Sequence, residues 1–325
     1  TDSTRIPPSP GKIGPAPPSA SRVSATRAGV MGTNCMPVGA GVTMTAGTSA
    51  DVRVLSARDL TAVAKLLGRR PVENVFVDYR CRVTQLDPRW LGGEVWGYFN
   101  DGELTSILHV GANVTPIETT PAAAAAFAQR LRDKPASSMA LVGSQHMVTP
   151  MWELLRQTWP APRLERWAQP HYTIARVPEV APDPGVRLTR SAEFETIYPA
   201  CVDMHTEELG VSPERDGGRP AYRARVRQLI SSGWSFSRIE QGRVIFKAEV
   251  ACATQDACQI QGVYVDPAYR GRGLAAAGMA AVVRQCLERI APQVGLFANA
   301  HNEPALRTYE RVGFERTDTF ASILY

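Results

Sequence analysis

One stretch constrains this chain more than any other: Gln261 to Gly278, Gln-Gly-Val-Tyr-Val-Asp-Pro-Ala-Tyr-Arg-Gly-Arg-Gly-Leu-Ala-Ala-Ala-Gly. Ile260 to Val265 is apolar and rich in β-branched residues, which reads as a buried strand. Asp266-Pro267 ends it, because proline has no N–H for a ladder and restricts the residue before it. Arg270 to Gly273 is a glycine-rich turn, and from Leu274 an alanine-rich run reads as a long helix. In a strand–turn–helix of this kind the free N–H groups at the helix start point into one concavity. That concavity binds anions through amide donors and the positive end of the helix dipole. Arg270 and Arg272 add positive charge there, so the turn reads as a pyrophosphate cradle. It lacks the Gly-Lys-Ser/Thr ending of a P-loop and the first-strand context of a dinucleotide fold.

A second motif follows the helix. Val294 to Ala298 reads as a strand, and Asn302 precedes a helical run through Tyr309 to Gly313-Phe314. Asn302 and Tyr309 are seven residues apart, two helical turns, so the spacing puts both on one helix face. Gly313 would end the helix and Phe314 seal the core.

Together the two motifs resemble the GNAT acetyltransferase superfamily. Arg270, Gly273 and Ala275 match its acyl-CoA loop, Arg/Gln-x-x-Gly-x-Gly/Ala. Asn302, Ala305, Tyr309, Gly313 and Phe314 match its C-terminal signature. The resemblance implies an α/β (α+β) fold, a mixed central sheet flanked by helices, with acetyl-CoA as donor substrate and no metal. It implies cofactor contacts at Val263, Tyr264, Val265, Arg270, Gly271, Arg272, Gly273, Leu274, Ala275, Ala276 and Asn302. The backbone at Val263 and Val265 would hold the pantetheine arm, an N–H at Tyr264 or Val265 would stabilise the oxyanion, and Tyr309 would protonate the CoA thiolate. Two positions that carry a glutamate base in other members fall here on Gln259 and Phe297. Glu249 on the neighbouring strand is the substitute candidate. His205, Glu207 and Glu208 are candidates for the amine side, each weighed against an ordinary surface role.

Residues 1–50 are rich in Pro, Gly, Ser, Ala and Thr, with Asp2 the one acidic residue, and read as a disordered leader. A transit peptide is the alternative, as is a true start at Met31 or Met44. Residues 51–175 alternate strands and helices. Val52 to Leu55 reads as a strand, Ser56 opens a helix to Leu67, and Asn74 to Val83 is helical. Glu94 to Val110 is a hairpin turning at Asn100-Asp101-Gly102, a helix runs from Pro121 to Arg132, Met139 to Gly143 is a strand, and Met151 to Thr158 is a helix. This is the order of a GNAT-like unit without a glycine cradle. Arg176 to Gly185 holds three prolines in ten residues and reads as a linker. Residues 186–325 repeat the plan, with a helix from Ser191 to Leu209 ended by Gly210. The whole resembles two-domain GNAT proteins of actinobacteria and, more distantly, the tandem layout of mycothiol synthases.

Composition narrows the alternatives. The chain has 325 residues, 44% hydrophobic and 21% charged, with a formal net charge of +5. Lys and Arg form no stripe or run, which argues against a nucleic-acid partner. No apolar run approaches the roughly 18 residues of a membrane span. The six cysteines, Cys35, Cys81, Cys201, Cys252, Cys258 and Cys286, show no metal-ligand or disulfide spacing, which suits free thiols in a reducing cytoplasm. Cys201 with His205 one turn away reads as a helix-face coincidence rather than a nucleophile and its base. The expected function is an N-acyltransferase passing an acetyl group from acetyl-CoA to an unidentified amine. The alternative is an acyl-CoA-binding regulatory protein whose chemistry has decayed.

Overall fold

The structure is a computed structural model that describes residues 50–132, 134 and 140–325. The leader lies outside the described residues. The first half runs β1 (Ala50–Val54), α1 (Leu60–Leu67), α2 (Val75–Thr84), α3 (Pro88–Leu91), β2 (Glu94–Asn100), β3 (Glu103–Val110), β4 (Asn113–Ile117), α4 (Pro121–Leu131), β5 (Ala140–Ser144), α5 (Gln145–Leu155) and β6 (Leu164–Ile174). The proline-rich segment 176–185 forms no helix or strand. The second half runs β7 (Arg187–Leu188), α6 (Phe194–Leu209), α7 (Arg219–Ser231), β8 (Ser235–Glu240), β9 (Arg243–Ala253), β10 (Cys258–Val265), α8 (Leu274–Arg289), β11 (Val294–Phe297), α9 (Glu303–Val312) and β12 (Glu315–Leu324).

Local chemistry accounts for most boundaries. Asp101 (φ 49°) and Gly102 (φ 82°) take the left-handed conformations a two-residue hairpin demands. Thr120 accepts the Ala123 N–H with its side chain, and Pro121 supplies a first-turn residue with no donor to satisfy. Gly210, at φ 70°, ends α6. Helix α5 departs from expectation, beginning at Gln145 with Pro150 inside it. The missing hydrogen bond there is offset by burial of Met147, Val148, Met151 and Trp152 on one side.

Twelve strands form one sheet in the order β1-β2-β3-β4-β5-β12-β6-β11-β10-β9-β8-β7. Its middle interlocks the two halves. β12, last of the second half, lies between β5 and β6; β6, last of the first, lies between β12 and β11. Neither half completes its sheet alone. β4, β6 and β12 carry prolines or polar residues that weaken their strand pattern, and they form because long-range pairing holds them.

One close approach fixes the second half's geometry. Phe246 on β9 is fully buried, and a Cβ on Gly278 of α8 would lie 2.7 Å from its ring. Only glycine lets the helix sit this near the sheet, which sets where the start of α8 stands over β10. Among the described residues no helix is long and apolar enough to cross a membrane.

Candidate active site

β10 and β11 run parallel but pair only at Cys258–Val294 and Gln259–Gly295, after which they part. A bulge accompanies the parting. Gln261 stands opposite Glu249, yet Tyr264 stands opposite Lys247, three steps on β10 for two on β9. Gly262 takes a left-handed conformation (φ 61°), and a Cβ there would lie 3.1 Å from both Glu249 Oε2 and Met204 Cε. The left-handed conformation selects glycine, and the space around it is tight. Asp266 N–H donates to the Ile245 carbonyl of β9 at 3.1 Å. Alternation along the strand then turns the Tyr264 N–H towards β9 and those of Val265 and Val263 into the opening. Of the two oxyanion candidates, Val265 therefore faces the gap and Tyr264 does not.

The turn after β10 is built as a crown of amides. Gly271 (φ 76°) and Gly273 (φ 74°) are left-handed, and a Cβ on either would meet nothing within 4 Å, so backbone conformation alone selects glycine. The N–H groups of Gly271, Arg272, Gly273, Leu274, Ala275 and Ala276 make no hydrogen bond among the described residues; the first to do so is Ala277, to the Gly273 carbonyl. These donors stand at the positive end of a sixteen-residue helix.

The cradle arginines are less free than the sequence suggests. The Arg270 guanidinium grips Glu207 with two bonds, of 3.0 and 2.8 Å, and its Nε donates to the Val265 carbonyl at 3.0 Å. Arg272 donates to the Ala268 carbonyl at 3.1 Å and lies over the Tyr269 ring. Arg270 thus ties the end of α6 to the loop, and the hydrogen bond to it holds the Glu207 carboxyl below the usual range.

Asn302 is not on the face of α9. It precedes the helix with non-helical dihedrals and accepts the Ala305 N–H at 3.3 Å, an N-cap. Tyr309, 7% exposed, packs against Tyr172 and Phe314, and its hydroxyl makes no hydrogen bond among the described residues. Burial, and then the charge of Glu208, raise its phenol well above the ordinary range.

Glu249, the candidate base, is only 4% exposed and forms an ion pair of 2.8 Å with Lys247, which is fully buried. Cys201 donates to the same carboxylate oxygen at 3.4 Å, and burial pushes its thiol up to about 12. The Cys201–His205 pairing is absent: His205 turns instead onto the edge of Tyr222, and burial lowers its imidazole. Phe297 packs on Phe320 and Gln259 pairs with Gly295, and neither side chain can act as a base.

Glu208 emerges with properties its sequence context did not show. It is solvent-accessible, yet the surrounding protein pushes its carboxyl up, with Arg166 and Lys247 opposing. Arg166, from β6 of the first half, donates to the Glu208 carbonyl at 2.5 Å, and Arg163 to that of Leu209 at 3.3 Å. Both cap the end of α6.

The first half has the same opening without the chemistry. β4 and β5 also pair at two positions only, Asn113–Ala140 and Val114–Leu141. There, Ser144 donates to Asp318 at 2.6 Å, and Arg70 bridges Asp318 and Glu118. Thr120 caps the following helix, so no free amide crown remains.

Residues 235–314 match the model of the acetyltransferase (GNAT) family, and residues 93–197 match a domain of unknown function, DUF4081. A Drosophila protein of known structure is 15% identical, with 84% of this chain and 98% of that one covered at a TM-score of 0.60. The chain has the fold of the GNAT acetyltransferases. A GCN5-related N-acetyltransferase from Sphaerobacter thermophilus is 17% identical over 84% of this chain and 95% of its own, at a TM-score of 0.53. A tandem GNAT protein from the clavulanic acid biosynthesis pathway is 14% identical over 84% and 98%, at 0.50. No curated protein matches the chain. The GNAT-matched segment contains the bulge, the opening, the amide crown and Tyr309.

Proposed function

We propose that this protein is an N-acyltransferase that passes an acetyl group from acetyl-CoA to the amine of a small molecule or protein. The observation that carries the reading is the juxtaposition of the parted β10 and β11 with six unbonded amides at the start of α8. A pyrophosphate needs such donors, and an extended arm needs such a gap. Val263 and Val265 hold the arm, Gly271 to Ala276 the pyrophosphate, and Asn302 shapes the start of α9 beside it.

The amine nitrogen attacks the thioester carbon directly in a ternary complex, the Val265 N–H stabilises the oxyanion, and the C–S bond breaks. Tyr309 gives its proton to the departing thiolate. Glu208 takes the proton from the amine: its raised carboxyl suits a base, and it is the one candidate carboxylate in electrostatic contact with Tyr309. Glu249, locked to Lys247, is a structural partner in this scheme. The two halves, 51–175 and 186–325 joined by 176–185, divide the labour, the first supplying Arg163 and Arg166 to the acceptor side. Kinship with actinobacterial two-domain proteins and mycothiol synthases, and action in the cytoplasm, belong to the same reading.

Calorimetry with acetyl-CoA, followed by thiol release against a panel of amines, tests it. Micromolar binding with release on at least one amine is expected, and Tyr309→Phe and Glu208→Gln should each lower kcat by about 10²-fold with little change in acetyl-CoA affinity. Binding without turnover on any amine would favour the regulatory alternative, and no binding would refute both.

A further inference from the structure

The bulge on β10 has a fastening from outside the amide ladder. The Lys247 ammonium, fully buried, donates to the Gly262 carbonyl at 2.9 Å and lies 2.8 Å from Glu249 Oε1. In a regular ladder that carbonyl would accept from a backbone N–H of a neighbouring strand. A trans peptide unit holds its C=O and the following N–H in opposite directions, and the described chain has no cis bond. Fastening the Gly262 carbonyl to Lys247 therefore turns the Val263 N–H away from Lys247. Strand alternation from Asp266 gives the same direction independently. The left-handed dihedral of Gly262 and the crowding about its α-carbon leave the peptide little other choice.

We infer that Lys247 is a positioning residue for the pantetheine arm of acyl-CoA: it holds the Gly262 carbonyl so that the Val263 N–H is presented to the arm in the opening between β10 and β11. Glu249 is the counter-charge that lets an ammonium stay in this buried place, and Cys201 donates to the same oxygen, Oε1, of that carboxylate. The inference rests on the acyl-CoA reading above.

The test separates the two ends of the ligand. Lys247→Met alone would strand Glu249, so Lys247→Met is combined with Glu249→Gln, which removes both charges. Calorimetry compares CoA with 3′,5′-ADP, the nucleotide end that lacks the arm, on wild type and double variant. The expected result is a roughly tenfold loss of CoA affinity, the worth of one hydrogen bond, with 3′,5′-ADP unchanged. Equal losses for both ligands, as general loosening would give, or no loss for either, would overturn the inference. A second readout needs no variant: the Val263 amide resonance of labelled wild type shifts on adding CoA and not 3′,5′-ADP, and a missing shift would overturn it even if the double variant failed to fold. Wild type that binds neither ligand would instead remove the acyl-CoA reading itself.

Discussion

Replacing Glu249 with glutamine changes one charge and almost no volume, which isolates the electrostatics of the Lys247–Glu249 pair. Lys247 is fully buried and Glu249 only 4% exposed, so bulk water screens their attraction little. Removing one partner of such a pair leaves the other charge uncompensated, at about 3–5 kcal/mol. For a chain of this size roughly 2–4 °C accompanies each kcal/mol, so the variant should melt about 6–20 °C below wild type near neutral pH. The pH dependence gives the sign of the effect. Burial pulls the Lys247 ammonium down, and Glu249, with smaller help from Cys201 and Glu208, more than restores it, leaving its pKa above the ordinary lysine value. In wild type the stabilisation is therefore full at pH 7 and lost only as pH rises past the ordinary lysine range. Without Glu249, burial prevails and the folded-state pKa drops below the unfolded one. The unfolded chain then binds more protons, so the variant gains stability as pH rises towards 10 and its deficit shrinks. Thermal melts of both proteins at pH 7, 8.5 and 10, followed by circular dichroism, measure this. A melting point within about 2 °C of wild type and a deficit flat with pH would refute a charged, buried pair.

Three further outcomes follow from contacts elsewhere. Gly278→Ala gains about 1 kcal/mol of helix propensity but drives a methyl to 2.7 Å from the Phe246 ring, so a net loss of roughly 1–2 kcal/mol is expected in urea unfolding, relieved by adding Phe246→Leu. Arg270→Ala, whose partner Glu207 is 58% exposed, should move the melting point by no more than a few degrees while weakening CoA several-fold; Glu207→Gln should weaken it too, although removing a negative charge would by simple attraction strengthen it. Residues 186–325 expressed alone lack β6, leaving β11 and β12 unpaired along their shared side, and should aggregate or elute as oligomers on size-exclusion chromatography, where a stable, CoA-binding monomer would contradict the interlock.

The features legible in the sequence are those whose cause is local. The Asp101-Gly102 turn, the Thr120-Pro121 helix start and the Arg270 to Gly273 loop each announce themselves within a few residues, because dihedrals and caps are decided there. β4, β6 and β12 did not, since their strand character comes from partners tens to hundreds of residues away: Asp318 pairs with His171, and Leu324 with Leu164. The site divides in the same manner. Gly271 and Gly273 were visible as conformational requirements, and Tyr309 as part of a spaced motif. The engagement of Arg270 by Glu207 joins residues 63 positions apart, and the bond from Arg166 to the Glu208 carbonyl spans 42. Lys247 could have been suspected, since Val244 to Val250 is otherwise apolar apart from Glu249, and two opposite charges at i and i+2 share one face of a strand.

The interlocked sheet and the uneven chemistry of its two openings belong to one physical account. Each half parts a parallel strand pair, but a gap between strands exposes backbone donors and acceptors that must find partners. In the second half the Gly262 carbonyl is met by Lys247, while the amides of Gly271 to Ala276 remain unmet among the described residues, the condition that the proposed pyrophosphate site requires. In the first half the corresponding opening is tied by Ser144, Asp318, Arg70 and Glu118, and Asp318 is carried there by β12, a strand of the other half. In return β6 and the residue before it bring Arg166 and Arg163 to the end of α6, beside Glu208. The exchange of last strands thus satisfies one opening internally and furnishes the other with charge, so the half without a cradle is a structural part of the half that has one.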